Sequence, residues 1–263
     1  MNLALNTLAS RALLWHRGAS TFLTELESRE FPAVTPEPLF PRLGRVRLGG
    51  GHAAQHTGRT CGTAVLALAN ALFDPDLRAH LRVEGSDVPA RERSALARAR
   101  FAEVQDSLLT AVTGLSWPAV LGTPPWGLAR ELRVPGVAYE HLPVDDRNAA
   151  LTEVLTGALQ RATAAGIPVP LYAGGNTSGG LARAVPRHVV LLLPPSAVVS
   201  APASDHARIY EPASGRVYRR SWARLWNRSK PESAFGGWTH VAWAILPRAS
   251  RSDRVTGTIR PVT

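Results

Sequence analysis

The sequence predicts an α+β fold, with a helical N-terminal part and an antiparallel sheet in the C-terminal part. Three observations predict it. Apolar residues recur at helical spacing through most of the chain before Gly166. From Val169 onward they come instead as short runs bounded by Gly and Pro, the pattern of strands and hairpins. Helices precede strands rather than alternating with them, which disfavours a parallel sheet built from strand–helix–strand units. There is no internal repeat.

The elements follow in order. Residues 3 to 27 carry Leu3, Leu5, Leu8, Leu13, Leu14, Phe22 and Leu23 and read as helix. Pro32, Pro36, Pro38 and Pro41 make the next stretch an irregular connector. Arg45-Val46-Arg47-Leu48 alternates as a short strand, before a plain glycine turn at Gly49-Gly50-Gly51. A helix starts at Cys61, with Thr60 as its N-cap, and runs through Ala64, Val65, Leu66, Leu68, Ala69 and Leu72 to about Phe73. Residues 91 to 113 form the longest helical pattern. Pro124 and Pro125 open a short helix through Leu132, with Thr123 as a candidate cap, and Val137-Ala138-Tyr139 reads as a strand. Ala149 to Ala165 is amphipathic and is closed by Gly166.

Strands then follow at Val169–Ala173 and His188–Leu193, separated by a loop containing Gly174-Gly175-Asn176-Thr177-Ser178-Gly179-Gly180. Arg208–Glu211 and Arg216–Tyr218 flank a Pro212-Ala213-Ser214-Gly215 turn as a hairpin. Ser221 to Trp226 reads as a short helix and Thr239 to Leu246 as a last strand. Three segments result: residues 1–44 with the first helix and the connector, residues 45–247 as the main domain, and residues 248–263 as a basic tail.

Composition narrows the function. The net charge is +10, from 30 basic and 20 acidic residues. Lys230 is the only lysine, so the charge is arginine spread along the chain. It forms no stripe and is not interleaved with aromatics, which argues against nucleic acid and leaves an acidic protein partner. One cysteine excludes an intrachain disulfide and fits a reducing, cytoplasmic setting. The N-terminus has no uninterrupted apolar core of a signal peptide, and no segment spans a membrane.

That cysteine is the centre of the chemistry. Cys61 falls at the first turn of a helix, where the macrodipole favours a thiolate, the nucleophilic form. Gln55, six positions upstream, is within reach as an oxyanion donor. A thiol nucleophile needs a base and a group that orients the base. His188 is best placed of the eight histidines, at the start of an apolar strand after a Gly-rich loop. Glu211 ends the next strand, and antiparallel pairing brings its carboxylate towards the imidazole. Asp205, before that strand, is the alternative orienter. His52 and His56 have the spacing of a metal pair but no acidic or cysteine ligand adjoins them, so neither metal nor cofactor is expected. His240, between Trp238 and Trp243, reads as a satisfied core or interface histidine. Trp222, Trp226, Trp238 and Trp243 read as core anchors rather than a substrate groove.

Gln55-x5-Cys61-Gly62, Arg187-His188-Val189-Val190 and Ile209-Tyr210-Glu211-Pro212-Ala213-Ser214-Gly215 together resemble the papain-like cysteine peptidases. The resemblance is nearest to the bacterial branch of double-glycine leader peptidases and covers roughly residues 43 to 247. It implies a papain-like fold, with Cys61 on the helical part and His188 and the acid on the sheet. It also implies attack of Cys61 on a peptide or amide carbonyl, with Gln55 and the Cys61 backbone N–H holding the oxyanion. That family has Asp-Pro where this chain has Glu211-Pro212, and the extra methylene calls for a slight backbone shift. An acyltransferase of transglutaminase-like type uses the same logic. A catalytically silent scaffold on the same fold is the reading from a different class.

Overall fold

The computed structural model describes residues 5–85, 87–114, 122–174, 188–195 and 205–248. The expected loop residues 175–180, Arg187 and the tail from residue 249 lie outside the described residues. The chain begins with α1 (Leu5–Arg17) and α2 (Ala19–Glu27), then short strands β1 (Gly44–Arg45), β2 (Arg47–Leu48) and β3 (Gly51–His52). Helices α3 (Cys61–Ala71), α4 (Pro75–Arg82), α5 (Ala90–Thr113) and α6 (Pro125–Glu131) follow. Next come β4 (Tyr139–Pro143) and α7 (Ala149–Ala164). The last part holds β5 (Val169–Gly174), β6 (His188–Leu193), β7 (His206–Glu211), β8 (Arg216–Ser221) and β9 (His240–Pro247).

Seven of these strands form one sheet in the order β1-β8-β7-β6-β5-β9-β4, with every ladder antiparallel. The fold is therefore α+β with an antiparallel sheet, as the order of sequence patterns predicts. Both faces of the sheet are covered. On β6, Val189, Leu191 and Leu193 join the core built around α3, while Val190 and Leu192 join the core built around α7. This alternation explains why β5 and β6 read as continuous apolar runs: every residue of both is buried. Helix α3 is buried on all sides, between the sheet and the helices that follow it. A helix so apolar all round can only be central.

The N-terminal helices pack on the opposite face from α3. Phe22 and Leu26 of α2 share the core of α7, and Arg161 of α7 donates to the Leu26 carbonyl at 2.9 Å. Buried Arg29 then binds Glu140 of β4 at 2.6 Å. No helix among the described residues is long and apolar enough to cross a membrane.

Several local expectations are corrected. The first helix is two helices, broken at Gly18, whose φ of 72° no ordinary residue adopts cheaply. Residues 75–82 form a helix that the hydrophobic pattern hides. Asp74 caps it by accepting from the Leu77 N–H at 2.9 Å, with Pro75 at its first position. Thr123 does not cap α6; Pro124 holds that position. Thr60 does precede α3, but its hydroxyl faces back towards Thr57 and His56 and caps no helical N–H. The short strand expected at 137–139 lies further on, at the outer edge of the sheet, paired with β9.

Candidate active site

Cys61 is fixed by its place at the head of α3. Gly62 follows it for a steric reason: a Cβ there would stand 2.5 Å from Thr123 Cβ and Oγ1. Thr123 is itself tied down, since its carbonyl accepts the Tyr172 hydroxyl at 3.0 Å. Burial, then the charge of Cys61, pushes the Tyr172 hydroxyl far above its ordinary range, so it acts as a neutral donor beside the sulfur.

His188 opens β6, paired with Ala173 of β5. On the other side Leu191 faces Tyr210, so Glu211 lies one residue beyond that pair, towards the His188 end. The structure brings all three groups together. His188 contacts Cys61, and its Nε2 lies 2.8 Å from Glu211 Oε1. The oxygen sits off the direction of the ring N–H, so this contact is charge against charge more than an aligned hydrogen bond. With Nε2 turned to the carboxylate, Nδ1 is the ring nitrogen left for the sulfur.

Glu211 is 2% exposed and is fully engaged. Its Oε1 accepts from the Ala213 N–H and its Oε2 from the Ser214 N–H, both at 2.8 Å. Burial, the largest influence, pushes its carboxyl up. The His188 and Ser214 contacts outweigh that and hold it below the usual carboxylate range. The extra methylene of Glu thus has a use: the carboxylate folds back onto the turn after β7 while still meeting the imidazole. Asp205 is excluded as orienter. It stands at the other end of β7, about 20 Å away at ~3.3 Å per residue.

Burial is also the largest influence on His188, and it opposes the charged ring. Contact with Cys61 and Glu211 and their negative charges win, and raise the imidazole to about 9.

Gln55 belongs to a segment strapped over the same turn. The Val46 N–H donates to Gly215 O at 2.8 Å, the Tyr210 hydroxyl to Ala53 O at 2.9 Å, and the Gln55 N–H to Pro212 O at 2.8 Å. Gln55 Nε2 donates to Thr57 O at 2.8 Å, which leaves the second N–H of its amide for another acceptor. His52 Nε2 lies 3.3 Å from Gly215 O, and His56 pairs with Asp106 at 3.2 Å. No group of three His, Cys, Asp or Glu able to hold a metal occurs among the described residues. Trp222, Trp226, Trp238 and Trp243 all join the two cores.

Two parts of the neighbourhood were missed by sequence reasoning. Gly236 lies against the His188 ring: a Cβ there would fall 2.5 Å from Cδ2 and 2.6 Å from Nε2. The Gly236-Gly237 pair was a visible signal, but nothing in the sequence says which side chain it serves. Asp146 pairs with His240, Oδ1 to Nδ1 at 3.0 Å, and no local pattern announces a contact across 94 residues.

A buried thiol, an imidazole in contact with it and a carboxylate on the far ring nitrogen make up the parts needed for nucleophilic acyl chemistry. No family model matches the chain. No curated protein matches it. No solved structure matches it.

Proposed function

We propose that the protein is a cysteine-dependent hydrolase of papain-like type, acting on a peptide or amide bond. The observation that carries this reading is the contact of Cys61, at the head of α3, with an imidazole whose other nitrogen meets a buried carboxylate at 2.8 Å. Cys61 attacks the carbonyl carbon as a thiolate paired with the His188 imidazolium. The oxyanion is received by the Cys61 N–H and the second N–H of the Gln55 amide. His188 gives its proton to the leaving nitrogen as the carbon–nitrogen bond breaks, leaving a thioester on Cys61. Water then attacks the thioester, passes a proton to His188 and restores the thiolate. An amine in place of water would complete acyl transfer by the same steps. Glu211 stabilises the imidazolium and sets the ring.

The reading is tested by alkylation with iodoacetamide at pH 6. An ordinary thiol, with pKa near 8.5, is less than ~1% thiolate there and nearly inert. Cys61 is expected to react at least ~10-fold faster than a free cysteine in the same buffer. His188→Ala should remove the advantage. A Cys61 that labels no faster than free cysteine, with or without His188, would leave the domain a silent scaffold.

A further inference from the structure

Helix α1 docks with a polar side inward and an apolar side outward. Among its described side chains the buried ones are Asn6, Thr7, Ser10 and Leu14. Polar bonds help hold it to the body: Asn6 Nδ2 donates to Val144 O at 2.7 Å, and Arg147 donates to Thr7 Oγ1 at 3.1 Å. Leu8, Ala12 and Trp15 follow one another at helical spacing on the opposite side, and all three are exposed. Leu8 is 51% exposed and Trp15 is 91% exposed. A lone exposed leucine would need no explanation. A surface helix, however, ordinarily turns its apolar stripe to the core and its polar face to water. Here the order is reversed, so the outward stripe calls for an apolar environment outside the molecule.

The charges beside the stripe are positive. Helix α1 contains no Asp or Glu. At about 3.6 residues per turn, Arg11 and His16 flank the stripe on its two sides. Arg11 lies 3.9 Å from Asp145 Oδ2, and Arg147 lies 3.6 Å from Asp145 Oδ1. Two guanidiniums thus face one carboxylate, and one positive charge is left over. Arg17 is matched by Glu25 at 2.6 Å and adds no excess. At longer range the whole chain carries +10, which attracts it to any negative surface.

We infer that α1 is an interfacial anchor that binds the protein to an anionic phospholipid bilayer, with Leu8, Ala12 and Trp15 entering the boundary between headgroups and acyl chains. The helix lies flat, so that Leu8 and Trp15 enter ~10 Å apart at ~1.5 Å per residue. Arg11 meets the headgroup phosphates. Area favours a bilayer over a protein partner. A tryptophan side chain offers at most ~250 Å². With half a leucine and an alanine added, the stripe stays well short of the ~800 Å² per partner of a stable protein interface. A bilayer needs no matching groove, and the amphipathic indole suits its interface. So few groups give weak, reversible attachment. The inference is independent of the cysteine-hydrolase reading.

The test uses the full chain and sucrose-loaded vesicles of phosphatidylcholine, with or without about 30% phosphatidylglycerol. Sedimentation reports the bound fraction, and bromine on the acyl chains quenches a tryptophan that enters the boundary. Binding to the anionic vesicles should exceed binding to phosphatidylcholine at least ~10-fold and weaken several-fold at ~0.5 M salt. Trp15→Ala should lower partitioning about tenfold and remove most of the quenching. Arg11→Gln should lower it about fivefold on anionic vesicles only. Trp126→Ala is the control. Trp126 is also exposed, but its helix α6 packs on the other face of the sheet: Leu128 joins the α3 core, whereas Leu14 of α1 joins the α7 core. Its loss should leave binding and most quenching in place. No binding to anionic vesicles overturns the inference. So does binding that Trp15→Ala leaves unchanged, which is adsorption by net charge alone, or binding without quenching. A Trp15-dependent dimer, or a Trp15-dependent complex with polyglutamate, in a protein that ignores vesicles also overturns it and gives the face to a second copy or to an acidic protein. If Trp15→Ala does not fold, quenching in the unaltered protein decides.

Discussion

Glu211→Ala is expected to slow acylation of Cys61 by about 10³-fold and to destabilise the fold by about 3–5 kcal/mol. Both effects come from one carboxylate with two duties. The Ala213 and Ser214 N–H groups donate to it at 2.8 Å inside a turn that is partly buried, and the alanine leaves both without their acceptor. Each lost hydrogen bond to a charged group costs about 1.5–3 kcal/mol. The imidazole loses the contact on its Nε2 side and is free to turn from the sulfur. Glu211→Gln divides the two duties in part. Its one amide oxygen accepts from only one of the two turn N–H groups, so about half of the turn's loss remains, while the negative charge beside His188 is gone. The alkaline limb of the acylation rate, set by loss of the His188 proton near 9, should then move to lower pH. Urea unfolding curves and the pH profile of the p-nitrophenolate burst with p-nitrophenyl acetate measure the two effects. A Glu211→Gln protein whose alkaline limb stays in place would show that the carboxylate serves the turn alone.

Gly236→Ala is the second large effect, through contact with the ring rather than through charge. Its Cβ would fall 2.5 Å from His188 Cδ2, inside van der Waals contact, at a backbone φ of +63°. The backbone strain costs about 1–2 kcal/mol. The ring must also move, and a displacement of ~1 Å at a reacting group costs on the order of 10²-fold in rate. Gly237→Ala is the matched control. Its φ of +82° brings similar strain, but a Cβ there meets nothing within 4 Å. Both variants should lose stability to backbone strain, Gly236→Ala the more because of the clash, and only Gly236→Ala should lose Cys61 reactivity. Equal reactivity in the two would mean that the ring tolerates the methyl and that Gly236 serves only its turn.

Much of the site was legible because each member sits at a punctuated end of an element. Cys61 begins an apolar helix, His188 begins an apolar strand, and Glu211 ends a strand before Pro212. Such ends carry caps, turns and prolines, which are local chemistry and readable in one dimension. The choice between Glu211 and Asp205 was not local. It depended on which end of β7 lies beside His188, and antiparallel pairing settles that. Helix α4 was hidden because only Leu81 of it is buried, so no apolar stripe marks it. The break at Gly18 was visible as a glycine but not as a left-handed one.

By itself the sequence determined the order of most helices and strands and the chemical types available for nucleophile, base and acid. These follow from periodicity and side-chain chemistry, which act over a few residues. Tertiary structure alone decided that Gly236 must lack a side chain, that Asp146 holds His240, and that the Glu211 carboxylate serves both a turn and a ring. Each of those depends on atoms that meet across a sheet or between distant loops. Contacts of that range are fixed by packing the whole chain at once, and no short stretch of residues encodes them.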